Sequence, residues 1–231
     1  MEPDNHMPDT STNSANNPIV QSYVSDYLNT LMPKRTGILA RLEQEAAEQH
    51  IPIITPEVAS LMEVLIKTTN PKHILEVGTA IGYSALLFSL AAGPEAQLIT
   101  IEREPHLIDT ARGNIDEAGL THQIKVMPGD ATEVLPCLTE PVDMIFLDGA
   151  KGHYTQMLEH CLNLLKPGGL LISDNVLFRG LVANDQLVPR RRRTIVTRMR
   201  TYLETISDHP QLQTSLLPIG DGLAISLKLS E

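Results

Sequence analysis

The sequence predicts an α/β protein: a doubly wound, mostly parallel sheet with an antiparallel hairpin at one edge and extra helices at the N-terminus. Three observations carry this. Five short runs, Ile74–Val77, Leu98–Ile101, Ile124–Met127, Val142–Leu147 and Leu170–Ser173, are apolar enough to be strands buried on both faces. Helix-length stretches fill each gap between them, around Ser84–Ala92, His106–Ala118, Ala131–Leu138 and His153–Leu165, and such alternation is the pattern of parallel crossovers. Finally, Leu212–Leu217 and Leu223–Leu229 are separated only by Pro218-Ile219-Gly220-Asp221-Gly222. That link is too short for a crossover, so the last two of the seven strands run antiparallel.

The remaining elements follow in chain order. Residues 1–17 are rich in Asn, Ser, Thr, Pro and Asp, with almost nothing to bury, which predicts a disordered tail and leaves 18–231 as a single domain. Val20, Tyr23, Val24, Tyr27, Leu28 and Leu31 recur at helical spacing and predict a helix within Ile19–Met32. Ile38–His50 is a second helix. Pro56–Thr69 is a third, with Thr55 as its cap and Pro56 in its first turn. Lys166-Pro167-Gly168-Gly169 stops a helix ahead of the fifth strand. A last helix is expected over Arg191–Ser207.

Composition narrows the class. No apolar run approaches bilayer-spanning length, and no basic stretch followed by an apolar one marks a signal peptide. Cys137 and Cys161 have neither ligand-like nor redox-like spacing and read as buried, reduced side chains of a cytoplasmic protein. A net charge of −10 argues against general polyanion binding. The exception is local: seven arginines and one acid, Asp185, lie between Arg179 and Arg200, with Arg190-Arg191-Arg192-Arg193 consecutive. Such a patch on an acidic body can attract one specific polyanion, or it can be a solvated helix face.

The chemistry-bearing residues gather at the carboxyl ends of the expected strands. Val142–Leu147 runs into Asp148, with Lys151 three residues later, and Leu170–Ser173 runs into Asp174-Asn175. Taken singly, Asp148 reads as a helix cap and Asp174-Asn175 as a turn. Together, at neighbouring ends of one sheet, two carboxylates and an amide oxygen suit a hard divalent cation such as Mg²⁺. Lys151 beside it is then a candidate base. His153 reads as a helix-start residue and Tyr154 as a packing or substrate contact. The first strand turns into its helix through Glu76-Val77-Gly78-Thr79-Ala80-Ile81-Gly82-Tyr83-Ser84. The two glycines are spaced G-x-x-x-G, without the dinucleotide fingerprint that seats a pyrophosphate on a helix N-terminus. Glu76 before the turn suits a cationic ligand. Glu102 ends the second strand, where an acid can bind ribose hydroxyls, and Asp130 follows the third. An adenosine ligand with a positive tail points to S-adenosylmethionine.

These residues resemble the class I S-adenosylmethionine-dependent O-methyltransferases of the metal-dependent group, which includes the catechol and caffeoyl-CoA methyltransferases. The resemblance runs from Tyr23 to Lys228 and rests on Glu76-Val77-Gly78 with Gly82-Tyr83-Ser84, on Asp148-Gly149-Ala150-Lys151 with Tyr154, and on Asp174-Asn175-Val176. Gly149 departs from the alanine of many relatives. The resemblance implies a Rossmann-like methyltransferase sheet and a homodimer. It also implies a metal held by Asp148, Asp174 and Asn175, and catalysis by Lys151 and Asp148. The methyl donor would be surrounded by Ile54, Glu76, Gly78, Ser84, Glu102, Asp130, Ala131 and Asp148. Gly78–Ala85, Asp174–Ala183, Pro189–Arg193 and Ile219–Ser226 resemble a narrower group, the bacterial tRNA 5-hydroxyuridine methyltransferases. That implies methylation of 5-hydroxyuridine at the wobble position, with the tRNA anticodon loop bound by Arg179, Arg190, Arg191, Arg192 and Arg193. The alternative is a small catechol-type acceptor. Catechols and 5-hydroxyuracil both place a hydroxyl beside a second oxygen, so both can chelate one cation.

Overall fold

The computed structural model describes residues 19–230; the expected disordered tail lies outside them. Three N-terminal helices, α1 (Ser22–Leu31), α2 (Gly37–Gln49) and α3 (Pro56–Thr69), precede the alternating part of the chain. That part reads β1 (His73–Val77), α4 (Tyr83–Ala92), β2 (Gln97–Glu102), α5 (Pro105–Glu117) and β3 (Ile124–Pro128), then α6 (Ala131–Val134), β4 (Val142–Leu147), α7 (Tyr154–Leu164) and β5 (Leu165–Asp174). It ends with α8 (Arg193–Ser207), β6 (Leu212–Leu217) and β7 (Leu223–Lys228). The seven strands form one sheet in the order β3-β2-β1-β4-β5-β7-β6. β1 to β5 are parallel, and β7 pairs antiparallel with both β5 and β6. This is a Rossmann-like methyltransferase sheet.

Strand order reverses between β2 and β4 on either side of β1, which opens a crevice at the carboxyl ends there. Each face of the sheet carries its own core. One gathers Leu42, Val58, Met62, Leu86, Phe88 and Phe146 beneath α2, α3 and α4. Phe88 meets Phe146 edge-on at 5.1 Å between ring centroids. The other gathers Leu75, Ile145, Leu171, Met157, Cys161 and Tyr202 beneath α7 and α8. Val196, Met199, Tyr202 and Ile206 bury one stripe of α8, at the three- and four-residue spacing of a single helix face.

Several expectations are corrected. The Lys166–Gly169 segment belongs to β5 and does not precede it: Val142 pairs with Leu165 but Met144 with Leu170, so the Pro-Gly-Gly residues form a bulge. The last helix begins at Arg193, because Arg190–Arg192 form a tight 3₁₀ turn. Thr55 does not cap α3 with its side chain; its Oγ1 is buried without a hydrogen-bond partner among the described residues. Cys137 is exposed, while Cys161 is buried, and both are free. No helix among the described residues is long and apolar enough to cross a membrane. α1 buries no residue and leaves Tyr23, Tyr27 and Leu31 mostly exposed.

Candidate active site

The crevice holds a cavity of about 230 Å³ lined by Gly78, Ala80, Glu102, Asp148, Lys151, Asp174 and Asn175, with Pro52, Ile53 and Thr55 closing it from the N-terminal side. β1, β2, β4 and β5 each end on it, so residues up to 97 positions apart in the chain, Gly78 and Asn175, share one wall. The walls approach closely. Gly78 has φ +104°, and a Cβ there would lie 2.9 Å from the Gly149 amide nitrogen, so only glycine lets the β1 and β4 turns meet.

Asp148 and Asp174 extend from β4 and β5 into this cavity. Asp174 is 2% exposed. Its Oδ1 accepts from the Asn175 amide at 2.6 Å. Burial pushes its carboxyl up to about 6, with the Asn175 amide and Lys151 opposing and Asp221 adding to the rise. Burial also pushes Asp148 well above the usual carboxylate range, Asp174 adds to this, and Lys151 opposes it. Among the described residues neither aspartate forms an ion pair shorter than 4.0 Å. Among the described residues no three His, Cys, Asp or Glu side chains cluster there as metal ligands, so any cation would take its third side-chain donor from the Asn175 side-chain oxygen. Two crowded, uncompensated carboxylates and a neutral oxygen fit a hard divalent ion, which would relieve both desolvation and mutual repulsion.

Two residues expected around the donor, Glu76 and Ser84, are buried behind the β1 turn and do not themselves line the cavity. Glu76 is fully buried. Thr100 Oγ1 donates to its Oε2 at 2.6 Å, and Oε1 has no hydrogen-bond partner. Burial raises this carboxyl to about 7, opposed by the Thr100 hydroxyl bonded to it and by the nearby Ser84 hydroxyl, which falls short of hydrogen-bond geometry. An orphaned buried carboxylate oxygen fits a ligand bearing positive charge. Glu102 is held at its root: Oε2 accepts from the Ala80 amide at 3.0 Å, and Oε1 from the Arg103 and Glu104 amides at 2.9 and 3.1 Å. Glu102 also lines the cavity.

Not every expected residue lines this cavity. Ile54 is 4% exposed and packs into the core, leaving Ile53 and Thr55 on the wall. Asp130 caps α6: its Oδ1 accepts from the Thr132 amide at 2.9 Å and the Thr132 hydroxyl at 2.7 Å, which holds the carboxyl below its usual range. Ala131 is buried as the first residue of that helix. Tyr154 is a packing residue: its hydroxyl, fully buried, lies 2.9 Å from the Leu147 carbonyl and 3.2 Å from the Asp174 carbonyl, tying together the ends of β4 and β5. His153 is exposed and bonds Gln156 at 2.7 Å. Arg179 and Arg190–Arg193 are exposed, and the Arg192 guanidinium lies over the Phe178 ring, 5.4 Å from its centroid. Asp221 lies in the turn between β6 and β7, where its sequence gives no sign of a role. Its carboxyl is raised by burial, with the Arg179 amide and Lys151 opposing, and it adds to the rise at Asp174.

Comparison with known proteins agrees with this geometry. The sequence profile of the O-methyltransferase family matches residues 31–229, and the chain belongs to that family; it is an S-adenosylmethionine-dependent O-methyltransferase. It is 36% identical over 176 residues to the catechol O-methyltransferase of Niastella koreensis, covering 74% of this chain and 79% of that one. It is 26% identical over 220 residues to caffeoyl-CoA O-methyltransferase 2 of Petunia hybrida, covering 90% and 89%. Among solved structures, the O-methyltransferase TomG of Streptomyces achromogenes, in complex with SAM, superposes with a TM-score of 0.79 at 27% identity, covering 90% of this chain and 96% of that one.

Proposed function

We propose that this chain places the methyl group of S-adenosylmethionine on a hydroxyl that has a second oxygen beside it, using a hard divalent cation such as Mg²⁺ held by Asp148, Asp174 and Asn175. The observation that carries this reading is the pair of buried carboxylates at the ends of β4 and β5, neither of them in an ion pair among the described residues. When bound, the cation would acidify the chelating hydroxyl and fix its direction, and the donor would supply a sulfonium methyl.

The chain's own residues do the rest. Glu76, buried two residues before Gly78 of the cavity wall, favours the positive charge of the donor, and Glu102, on the wall, offers its carboxylate to the ribose. Gly78 lets the donor approach the backbone. Lys151, on the same wall as both aspartates, takes the proton of the acceptor hydroxyl. Ile53 and Thr55 cover the cavity from the other side and help exclude water. Positioning and electrostatics of this kind supply most of the acceleration in group transfer.

The acceptor class favoured by the relatives' names, catechol and caffeoyl-CoA, is a small molecule with adjacent hydroxyls. A second reading, 5-hydroxyuridine in the anticodon loop of tRNA, is favoured by one observation. Arg190–Arg193 are exposed beside the loop that follows Asn175, with Arg192 resting on Phe178, where they can meet phosphates. Assay of the purified chain with donor and Mg²⁺, against catechol and against hypomodified tRNA side by side, separates the two. Methylation of neither acceptor contradicts the vicinal-oxygen reading itself.

A further inference from the structure

The loop after β5 is held in an unusual shape. Asn175, Phe178 and Arg179 have φ of 59°, 47° and 57°, three left-handed non-glycine residues within five, a conformation that persists only under external restraint. The restraint comes from the turn between β6 and β7. The Val176 amide donates to the Gly222 carbonyl at 2.9 Å and the Leu177 amide to the Asp221 carbonyl at 3.0 Å. The Arg179 amide donates to Asp221 Oδ1. The two segments are in such contact that a Cβ on Gly222 would collide with Leu177 Cγ. The same turn also presses on the N-terminal wall, where a Cβ on Gly220 would lie 2.9 Å from Val58 Cγ2 and 3.1 Å from Thr55 Oγ1.

Of these links only one depends on a side chain. We propose that Asp221 is a positioning residue: by holding the Arg179 amide, its carboxylate keeps Asn175, Phe178 and Arg179 in their left-handed conformations and so keeps Asn175 on the cavity wall beside Asp148 and Asp174. This rests on the reading of Asn175 as a cation ligand. Asp221 itself does not line the cavity. It acts through the backbone of the loop, in the way that residues behind a metal ligand set that ligand's direction.

Two measurements separate the latch from the metal reading. The first needs no metal. Hydrogen exchange of the 175–182 segment, followed by mass spectrometry, should quicken in Asp221→Ala and stay near the unaltered chain in Asp221→Asn, whose amide oxygen can accept the same N–H. Unchanged exchange in Asp221→Ala overturns the latch. The second is Mn²⁺ binding by electron paramagnetic resonance. Asp221→Ala should bind Mn²⁺ about tenfold more weakly, the scale of such indirect effects, Asp221→Asn should recover most of that, and S-adenosylhomocysteine affinity should hold in both. Equal Mn²⁺ affinity in Asp221→Ala overturns the proposal, as does an Asn variant as weak as the Ala one. If exchange responds as expected but the unaltered chain binds no Mn²⁺, the cation reading fails, and the role of the latch in metal binding with it.

Discussion

Replacing Glu76 by Gln should stabilise the ligand-free enzyme at high pH while weakening donor binding. Burial raises this carboxyl from 4.5 to about 7, so the folded state favours the protonated form. Below 4.5 both folded and unfolded chains carry the proton and Glu76 contributes no pH dependence. Between 4.5 and 7 the unfolded chain loses its proton first, so stability falls as pH rises; above 7 the full cost is present. From pH 5 to pH 8.5 that loss comes to about 2–3 kcal/mol, from the stability equivalent of each tenfold change in proton affinity. Gln has no such titration and keeps an oxygen for the Thr100 hydroxyl. The difference in Tm between variant and unaltered chain should therefore move by about 5–10 °C in favour of Gln across this range, taking about 2–4 °C per kcal/mol for a chain of this size. Differential scanning fluorimetry at several pH values reads it. Donor affinity should fall roughly 10–100-fold in the variant, the worth of a hydrogen bond between charged groups. In the unaltered chain it should rise as pH passes through about 7. A Tm difference that is flat with pH refutes the claim that Glu76 is buried at a cost in the free enzyme. Unaltered donor affinity refutes its role in the site.

Three further outcomes follow from the packing and the surface. Tyr154→Phe removes the hydroxyl shared by the Leu147 and Asp174 carbonyls and should cost about 1–3 kcal/mol, read as a lowered midpoint in urea unfolding. Phe88→Ala empties a fully buried position against Phe146 and should cost about 3–5 kcal/mol, seen the same way. Replacing Arg190–Arg193 together by Ser should leave turnover of a small catechol unchanged. If tRNA is the acceptor, the change should raise KM for tRNA and flatten its salt dependence; loss of catechol turnover would contradict the surface placement of these residues.

Sequence patterns local to an element carried over well. The five buried runs, the three N-terminal helices and the closing hairpin lie within a few residues of their expected bounds, because apolar periodicity reports directly on which face is buried. Asp148, Lys151, Asp174 and Asn175 share one cavity as expected, since parallel strands deliver their carboxyl ends to one edge. What failed depended on partners distant in sequence. Pro167-Gly168-Gly169 looks like a helix stop and a loop, yet its pairing with β4 makes it a bulge. Nothing in a Gly-Asp-Gly turn distinguishes Asp221 from any turn residue; its contact with Arg179 forms only when β7 docks beside β5.

The cation site is tested most directly by growing crystals of the chain with S-adenosylhomocysteine and Mn²⁺ and computing an anomalous difference map at the manganese edge. The expected result is a single strong peak bounded by the Asp148 and Asp174 carboxylates and the Asn175 amide oxygen, with Lys151 facing it. A map with no peak there, together with methyl transfer that persists after exhaustive chelation, would contradict it.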